Sequence, residues 1–548
     1  MSEQDGKPTR NCGEYDRREF LRLLSGGALA VTSGGLLAGC GGGGGTTPGP
    51  STANSLLYST NVVIGTTGDT ITAPAPNNVS VTFPPNTFTG DTSVTLSIYD
   101  LSQLPSPNTN LVPASTVVNI AFDDTNFAAT GSLSVTTPYT GLPNPNTDYV
   151  AMSDTNDGNG NFLAIMPTIN ASTQTFQYSL AKGDFDYINA SQTQNQIATV
   201  HSLSSLKQKP HDLSQIKQWY LQLKTFAQQP KLPPKTDFYI YNGNGNWLPD
   251  DNRVLSSQPS AILIHGIYNT YTRMNDLASY LSTITKPDGT RLYESIIAVD
   301  YNWQRQIAEN GDELAQFVTK RFLNIDPQID VFGHSMGGLV ARWAIEKSDV
   351  GNGLVGCGSY VKRLFTFSTP HAGVPVRALA TAALITITGD LDFSLPGVND
   401  LVTNGSFLNQ LDDGSQSPYY STISYLTFAG SHWDGYQGKV GKSMHNYFTY
   451  VDLLDKSRGY NNLDGIVSVP SAQYSGLSNK SANLTQPNET YDFNHSKIGG
   501  EMLNGSFNLD NDPGTIGDQT VDEQYRKSPH RRLRDYILQT GVGNIGIQ

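Results

Sequence analysis

The stretch that decides the fold reads Val331-Phe332-Gly333-His334-Ser335-Met336-Gly337-Gly338. Residues Gln328 to Phe332 are typical of a short buried strand, and residues Met336 to Glu346 are typical of a helix. A serine at such a junction sits on a strained turn, which glycines on both sides permit. The turn lifts the Ser335 hydroxyl above the sheet, beside a helix N-terminus that favours developing negative charge. A plain Gly/Ser loop is the alternative, and the presence of catalytic partners elsewhere in the chain decides between the two.

The sequence around this stretch alternates between two kinds of segment. Strand-like runs occur at Ala261–Ile264, Ile296–Val299, Gln328–Phe332, Arg363–Phe367 and Tyr425–Phe428. Helical spacing of apolar residues occurs at Thr272–Thr283, Ala308–Arg321 and Met336–Glu346. The alternation predicts an α/β domain over residues 236–548, in which a mostly parallel sheet is covered by helices on both faces.

A serine nucleophile needs an acid that orients its base, and the sequence offers one favoured candidate. Asp464 is followed by a glycine and two branched apolar residues, a pattern that places a carboxylate at a turn beside a strand. A plain Asp-Gly turn is the alternative reading of the same pattern. The runners-up for the acid are Asp452, Asp455 and Asp492.

The base follows from the chain order Ser, acid, His of the α/β-hydrolase fold. Only His495 and His530 come after Asp464. His530 lies in a charged helical stretch, whereas His495 lies where a strand leads into a loop. His495 is therefore the predicted base.

An oxyanion hole is predicted at the exit of the first strand of this domain. His265-Gly266-Ile267 follow the apolar run that ends at Ile264. The glycine lets a backbone N–H, that of Ile267, face the cleft, and the N–H of Met336 supplies the second donor. In this arrangement we expect His265 to be a structural hydrogen-bonding residue rather than a base.

Several motifs in one order resemble the lipase-type α/β-hydrolases, which include bacterial triacylglycerol lipases and relatives of lecithin:cholesterol acyltransferase. The motifs are His265-Gly266, Gly333 to Gly338, Ser368 to Gly373, Asp464 to Val467 and Asn494-His495. The resemblance covers about Thr236 to Gly500. It implies carboxylic-ester hydrolysis through an acyl-enzyme, with Ser335 as nucleophile, Asp464 as acid and His495 as base.

The same resemblance bears on cofactors. Some bacterial lipases follow the catalytic histidine with acidic residues that help to bind calcium. Here Ser496-Lys497 follow His495. We therefore expect no cofactor and no metal, and calcium stays an open question at this stage.

The stretch from Val374 to Gly389 bears on access to the serine. It is apolar on nearly all sides and too short to span a bilayer. Because it lies between two strands of the predicted sheet, we expect it over their carboxyl ends. A buried cap helix and a mobile lid that meets lipid are both compatible with this pattern.

The N-terminus reads as an export signal rather than as fold. Asp16 to Arg22 resembles the twin-arginine signal, and Leu37-Ala38-Gly39-Cys40 resembles the bacterial lipoprotein box. The resemblance implies that residues 1–39 are removed and that Cys40 receives lipid. Residues 40–55 are glycine-rich, as expected of a tether between a lipid anchor and a folded domain. A cleaved secretory signal without lipid is the alternative.

Two further segments separate the tether from the α/β domain. Residues 56–198 are poor in charge and contain short alternating runs between Pro, Asn and Gly turns, which predicts an all-β sandwich. Asp154 to Gly160 resembles a calcium loop, but its glycine is one position early, and a hairpin turn is favoured. Residues 199–235 are expected to be a helical connector, because Leu213 to Ala227 has helical spacing.

Charge and function classes complete the prediction. The formal net charge of −13 argues against a nucleic-acid partner. The expected partners are an ester or lipid substrate and, through the N-terminal lipid, a membrane. We predict a lipase or esterase exported to the cell envelope, at the bacterial outer membrane or cell surface. Two alternatives stay open: an acyltransferase that uses the same triad, and a surface binding protein with a degenerate hydrolase domain.

Overall fold

The computed structural model describes the following parts of the chain, and the structural statements below refer to them. They are residues 56–100, 111–153, 162–185, 217–223, 231–243, 246–250, 258–322, 329–347, 356–375, 379–380, 392–412, 423–430, 466–473, 489–491, 533 and 536–538.

The N-terminal half is built from strands that form two antiparallel sheets. The strands are β1 (Leu56–Ile64), β2 (Asp69–Thr72), β3 (Ser80–Phe83), β4 (Thr92–Tyr99), β5 (Leu111–Pro113), β6 (Val117–Phe122), β7 (Ser132–Pro138), β8 (Tyr149–Ser153), β9 (Phe162–Ile165), β10 (Thr168–Asn170), β11 (Thr175–Ala181) and β12 (Lys217–Leu223). One sheet has seven strands in the order β1-β4-β6-β12-β8-β9, with β5 paired to β12. The other has five, in the order β10-β11-β7-β3-β2.

The two sheets share one hydrophobic core. Side chains alternate between buried and more exposed along β7 and β11, as expected of strands with one face on a core. Leu96 and Ile120 of the first sheet belong to the same buried cluster as Val81 and Val135 of the second. The short strands that the sequence predicts within residues 56–198 are confirmed, among them β3, β4, β6 and β7.

One sequence prediction in this half is wrong. The segment Leu213 to Ala227 was expected to be a helix in a connector over residues 199–235, but its described residues form β12. β12 lies in the middle of the first sheet, paired antiparallel with β5, β6 and β8. Helical spacing of apolar residues is a weak signal, and the hydrogen bonds that β12 forms with three neighbouring strands outweigh it. The first sheet therefore extends to Leu223, beyond the predicted boundary at residue 198.

The first sheet is buried on both faces near its centre. Tyr149 to Met152 are all buried, without the alternation seen in β7. Val150 and Met152 belong to the core between the two sheets, whereas Tyr149 and Ala151 belong to a cluster that contains the α/β core. The α/β part of the chain thus covers the outer face of this sheet.

The C-terminal half has the predicted α/β architecture. Its strands are β13 (Asp237–Tyr241), β14 (Trp247–Pro249), β15 (Ser260–Ile264), β16 (Ser295–Asp300), β17 (Ile329–His334), β18 (Val361–Phe367), β19 (Ser424–Gly430) and β20 (Glu489–Tyr491). Its helices are α1 (Asn275–Thr283), α2 (Ile307–Arg321), α3 (Met336–Glu346), α4 (Pro396–Asn399), α5 (Ser406–Asp412) and α6 (Val469–Ala472). The five strand-like runs and the three helical segments that the sequence indicates at Thr272–Thr283, Ala308–Arg321 and Met336–Glu346 are confirmed, to within a few residues.

The order of this eight-stranded sheet is β14-β13-β16-β15-β17-β18-β19-β20. From β16 to β20 neighbouring strands are parallel, and β13 and β14 are antiparallel at one edge. The chain runs from β15 to β16 on one side and then returns to β17 on the other. The strand order therefore reverses between β15 and β17, which is where α/β sheets place their ligands.

Both faces of this sheet are buried, which explains its continuous apolar strands. Ile262, Val331 and Leu364 belong to one core cluster, and Leu263 and Phe332 belong to the other. No described helix is both long enough and apolar enough to cross a membrane.

Candidate active site

Ser335 stands at the sharp turn between β17 and α3. Its backbone has φ 54° and ψ −128°, which is an unfavourable conformation for a residue with a Cβ atom. The N–H of Ser335 donates to the Phe367 carbonyl at 2.9 Å, and its carbonyl accepts from Gly338 N–H at 3.0 Å. The turn is therefore fixed from β18 on one side and from the first turn of α3 on the other.

The glycines beside Ser335 are required by close backbone contacts. A Cβ on Gly333 would lie 2.5 Å from the Gly338 Cα, and one on Gly337 would lie 2.3 Å from the His265 carbonyl oxygen. Both neighbours are backbone atoms, which cannot turn aside as a side chain can. The glycines thus allow β17, α3 and the loop after β15 to meet at one point.

The loop after β15 lies directly against the serine. A Cβ on Gly266 would come within 2.8 Å of the Ser335 Cβ. Ile267 follows Gly266 and is partly exposed, and its carbonyl accepts a hydrogen bond from the Asn269 side chain at 2.8 Å. Met336 begins α3 and is fully buried. The structure therefore places Gly266, which precedes the predicted donor Ile267, against Ser335, and Met336, the other predicted donor, directly after Ser335.

His265 is buried among hydrogen-bonding partners. Its Nδ1 lies 2.8 Å from the Gly266 carbonyl oxygen, and its Nε2 lies 3.3 Å from Asp300 Oδ1. The Tyr301 hydroxyl donates to the His265 carbonyl at 2.9 Å. These contacts fit the expected structural role. Sequence reasoning missed Asp300 and Tyr301, although a charged residue at the carboxyl end of an apolar strand was a usable signal.

A second buried histidine lies behind the nucleophile turn. His371 Nε2 is 3.0 Å from Thr366 Oγ1. Burial, together with the Arg342 charge, holds the pKa of His371 well below its ordinary value of 6.5. Arg342 is itself buried in α3, where it pairs with Glu346 at 2.9 Å and with Asp412 at 3.0 Å. His371 is therefore a neutral residue of the core that is bound to Thr366 of β18.

The predicted acid and base, Asp464 and His495, lie outside the described residues, as do Asp452, Asp455, Asp492 and His530. The described residues next to the predicted acid and base lead to the edge of the sheet at which β17 ends. Ser471, in α6 after the predicted acid, accepts from Ala372 N–H at 3.1 Å and donates to the Gly373 carbonyl at 3.0 Å. β20 precedes the predicted base and runs parallel to β19, so it ends at the edge where β17 ends.

Other predictions also fall wholly or partly outside the described residues. They include the signal, Cys40 and the tether, the Asp154–Gly160 turn, and residues 376–378 and 381–389 of the predicted lid or cap. Before that last gap, Leu379 and Ala380 are buried in the α/β core. In the parts that the structure describes, no cluster of three or more His, Cys, Asp or Glu side chains could hold a metal ion.

Residues 260–387 match the model of a family described as "Putative serine esterase (DUF676)". The match begins at β15 and contains His265, Gly266, Ser335 and Met336. It supports a carboxylic-ester hydrolase.

Solved structures of lipases and esterases are distantly similar. The mature Bacillus licheniformis lipase BlEst2 is 19% identical, with a TM-score of 0.32, over 48% of this chain and 95% of that one. A metagenomic carboxyl esterase is 16% identical, with a TM-score of 0.27, over 44% of this chain and 66% of that one. The Legionella pneumophila phospholipase PlaB is 14% identical, with a TM-score of 0.27, over 39% of this chain and 45% of that one. None of the curated proteins matches this chain. These likenesses are too distant to bear on substrate or mechanism.

Proposed function

We propose that this protein hydrolyses carboxylic esters through an acyl-enzyme formed on Ser335. The observation that carries the proposal is the strained turn at Ser335, with the Gly266 backbone packed against it. A serine held in this conformation at the start of a helix has its hydroxyl beside two sets of backbone N–H donors. The family match over the same residues agrees with this chemistry.

The proposed mechanism begins when Ser335 Oγ attacks the ester carbonyl and His495 accepts its proton. The carbonyl oxygen becomes an oxyanion, and the amides of Ile267 and Met336 donate to it. Collapse of the tetrahedral intermediate expels the alcohol, which His495 protonates. A water molecule then attacks the acyl group in the same manner. Asp464 orients His495 and stabilises its charged form throughout.

The test is a panel of p-nitrophenyl esters from acetate to palmitate, with Ser335→Ala as the control. We expect turnover that depends on Ser335 and a labelled Ser335 peptide after reaction with a fluorophosphonate. The proposal fails if the purified protein hydrolyses no member of the panel, or if Ser335→Ala hydrolyses them as well as the wild type. Addition of a competing alcohol to the same assay separates hydrolysis from transfer, because transfer yields a new ester.

We also propose where this activity is located. The lipoprotein box at Leu37 to Cys40 and the glycine-rich residues after it support an enzyme anchored to the cell envelope through lipid on Cys40. The substrate class consistent with this location is a water-insoluble or membrane-borne ester. In the same proposal, the N-terminal sheets form a β-sandwich between the anchor and the catalytic domain.

A further inference from the structure

The His265 side chain determines the orientation of one peptide group beside Ser335. Its Nδ1 lies 2.8 Å from the Gly266 carbonyl oxygen. Because a carbonyl carries no proton, Nδ1 must be the donor. The Gly266 carbonyl and the Ile267 N–H belong to the same planar trans peptide and point in opposite directions. When the carbonyl is bound to the imidazole, the Ile267 N–H is therefore directed away from it.

One carboxylate oxygen of Asp300 contacts the loop after β15 near both ends of that loop. Asp300 Oδ1 lies 3.3 Å from His265 Nε2, at the start of the loop. The same oxygen accepts the Tyr271 N–H at 3.1 Å, four residues after Ile267. His265 is fully buried and Asp300 is 7% exposed. Asp300 thus joins β16 to both ends of the segment that contains Ile267.

The Tyr301 ring packs against the His265 imidazole and restricts its rotation. The two rings are stacked, with centroids 4.4 Å apart and an interplanar angle of 14°. The Tyr301 hydroxyl donates to the His265 carbonyl at 2.9 Å, and Tyr301 N–H faces His265 Nε2 at 3.4 Å. Nε2 can accept from this N–H when the ring is neutral or donate to Asp300 when it is charged. The Nδ1 proton that holds Gly266 is present in both forms.

We infer that Asp300, acting through His265, is a positioning residue that directs the Ile267 N–H toward the oxyanion. This inference rests on the proposed function, because it assumes that Ile267 serves as an oxyanion donor. Neither Asp300 nor His265 touches the substrate in this arrangement. Their effect is to hold the donor in place before the reaction, so that no reorganisation is needed as negative charge develops on the substrate oxygen.

Two buried tyrosines provide a matched pair of variants. Tyr301→Phe removes the hydroxyl that donates to the His265 carbonyl. Tyr293→Phe removes a hydroxyl that donates to Asp330 Oδ2 at 2.5 Å, away from the loop after β15. Both side chains are almost completely buried. Asp300→Asn tests the carboxylate directly, because an asparagine oxygen can still accept the Tyr271 N–H but carries no charge for His265.

The measurements are kcat and KM on a p-nitrophenyl ester and the Kd of an alkyl boronic acid, which forms a tetrahedral adduct with a serine. We expect Asp300→Asn to lower kcat by about 10- to 100-fold with KM nearly unchanged, and to raise the boronate Kd in parallel. Tyr301→Phe should shift both quantities in the same direction by a smaller factor. Tyr293→Phe should lower the Tm while it retains the kcat and boronate Kd of the wild type.

The outcomes separate this inference from the proposed function. A wild-type protein without Ser335-dependent turnover removes the proposed function itself. An active wild type whose Asp300→Asn and Tyr301→Phe variants keep both kcat and boronate Kd overturns only the positioning role. Equal losses of kcat and of boronate affinity in Tyr301→Phe and Tyr293→Phe also overturn the positioning role, because the effect then comes from reduced stability. If Asp300→Asn does not fold, the comparison of Tyr301→Phe with Tyr293→Phe decides whether the positioning role stands.

Discussion

At the scale of single residues, Ser335 carries strain that its surroundings hold in place. A residue with a Cβ atom at φ 54° costs about 1–3 kcal/mol relative to ordinary backbone. Hydrogen bonds from Ser335 N–H to Phe367 and from Gly338 N–H to Ser335 fix the turn. The fixed turn keeps Ser335 at the carboxyl edge of the sheet, where the proposed mechanism requires it.

The catalytic roles can be tested by single substitutions. Because Ser335, Asp464 and His495 act as a unit in the proposed mechanism, we expect Ser335→Ala and His495→Ala each to reduce ester turnover by about 10³-fold or more. Asp464→Asn should reduce it less, because it disturbs the orientation of the imidazole rather than the nucleophile. His530→Ala and Asp492→Asn are the matched controls and should stay close to wild type. An inactive His530→Ala beside an active His495→Ala would transfer the role of base to His530.

His371 predicts a pH-dependent stability. Its pKa is low in the folded protein and close to 6.5 in the unfolded chain, so below pH 6.5 the unfolded state binds a proton that the folded state does not. Stability from this group is complete above pH 6.5 and is lost as the pH falls toward the folded pKa. The loss should be on the order of 1 kcal/mol at pH 5.5. Thermal unfolding at pH 7.5 and 5.5 should show a larger drop in Tm for the wild type than for His371→Asn, and equal drops would contradict this.

At the scale of secondary-structure elements, α3 depends on a buried ion pair. Arg342 and Glu346 are one turn apart and 2.9 Å from each other, with fully buried side chains. Arg305 and Glu309 in the α2 region have the same spacing and the same distance, but they are partly exposed. The two pairs therefore differ mainly in burial.

This difference gives a matched prediction. Glu346→Ala leaves a buried guanidinium with Asp412 as its remaining carboxylate partner and should destabilise the protein by about 3–5 kcal/mol. Glu309→Ala should cost about 1 kcal/mol or less, because water replaces the lost partner. Chemical denaturation followed by tryptophan fluorescence measures both. Similar losses in the two variants would show that burial does not govern the pair.

The junction of β17 with α3 is a second test at this scale. Gly337→Ala would place a Cβ 2.3 Å from the His265 carbonyl oxygen and 2.5 Å from that of Ile264. Because both are backbone atoms, we expect the loop and the helix to separate, with a loss of about 1–3 kcal/mol in stability and most of the ester turnover. Gly90→Ala, where no atom lies within 4 Å of the added Cβ, should be neutral. An active, stable Gly337→Ala would show that the contact can relax.

At the scale of the whole molecule, the N-terminal sheets and the α/β domain are packed together. Val117 and Ala164 of the first sheet belong to the same cluster as Trp303 and Leu379 of the α/β domain. Phe393 N–H also donates to the Asn146 carbonyl at 3.3 Å. The anchor at the N-terminus would therefore hold both parts at a membrane together.

The anchor itself is a prediction about the whole protein. We expect the mature chain in the membrane fraction of the native host, labelled by a radioactive fatty acid on Cys40. Cys40→Ser should abolish the label and release the protein, with esterase activity unchanged. Arg17→Lys with Arg18→Lys should retain precursor in the cytoplasm. Cys357 is the control cysteine, because burial raises the pKa of its thiol to about 12 and leaves it unreactive in the folded protein. Label that persists in Cys40→Ser would exclude Cys40 as its site.

The sequence by itself determined the elements whose pattern is local. A buried apolar run followed by glycines and an apolar helix was enough to predict β17, Ser335 and α3, because a parallel strand buried on both faces and a helix with a wide apolar face have distinct patterns. The chain order of the later acid and histidine residues gave the proposed triad in the same way. The placement of Gly266 beside the serine was predictable from the His265-Gly266 motif.

Only the tertiary structure decided the features that depend on distant partners. β12 is a strand because β5, β6 and β8 supply its hydrogen bonds, and no pattern within residues 213–227 records those neighbours. The centre of the first sheet is buried on its outer face because the α/β domain covers it there. Asp300 meets both His265 and Tyr271 because β16 lies beside β15, although 35 residues separate Asp300 from His265 along the chain. Hydrogen bonding and burial act across space, so contacts between residues far apart in sequence emerge only when the chain is folded.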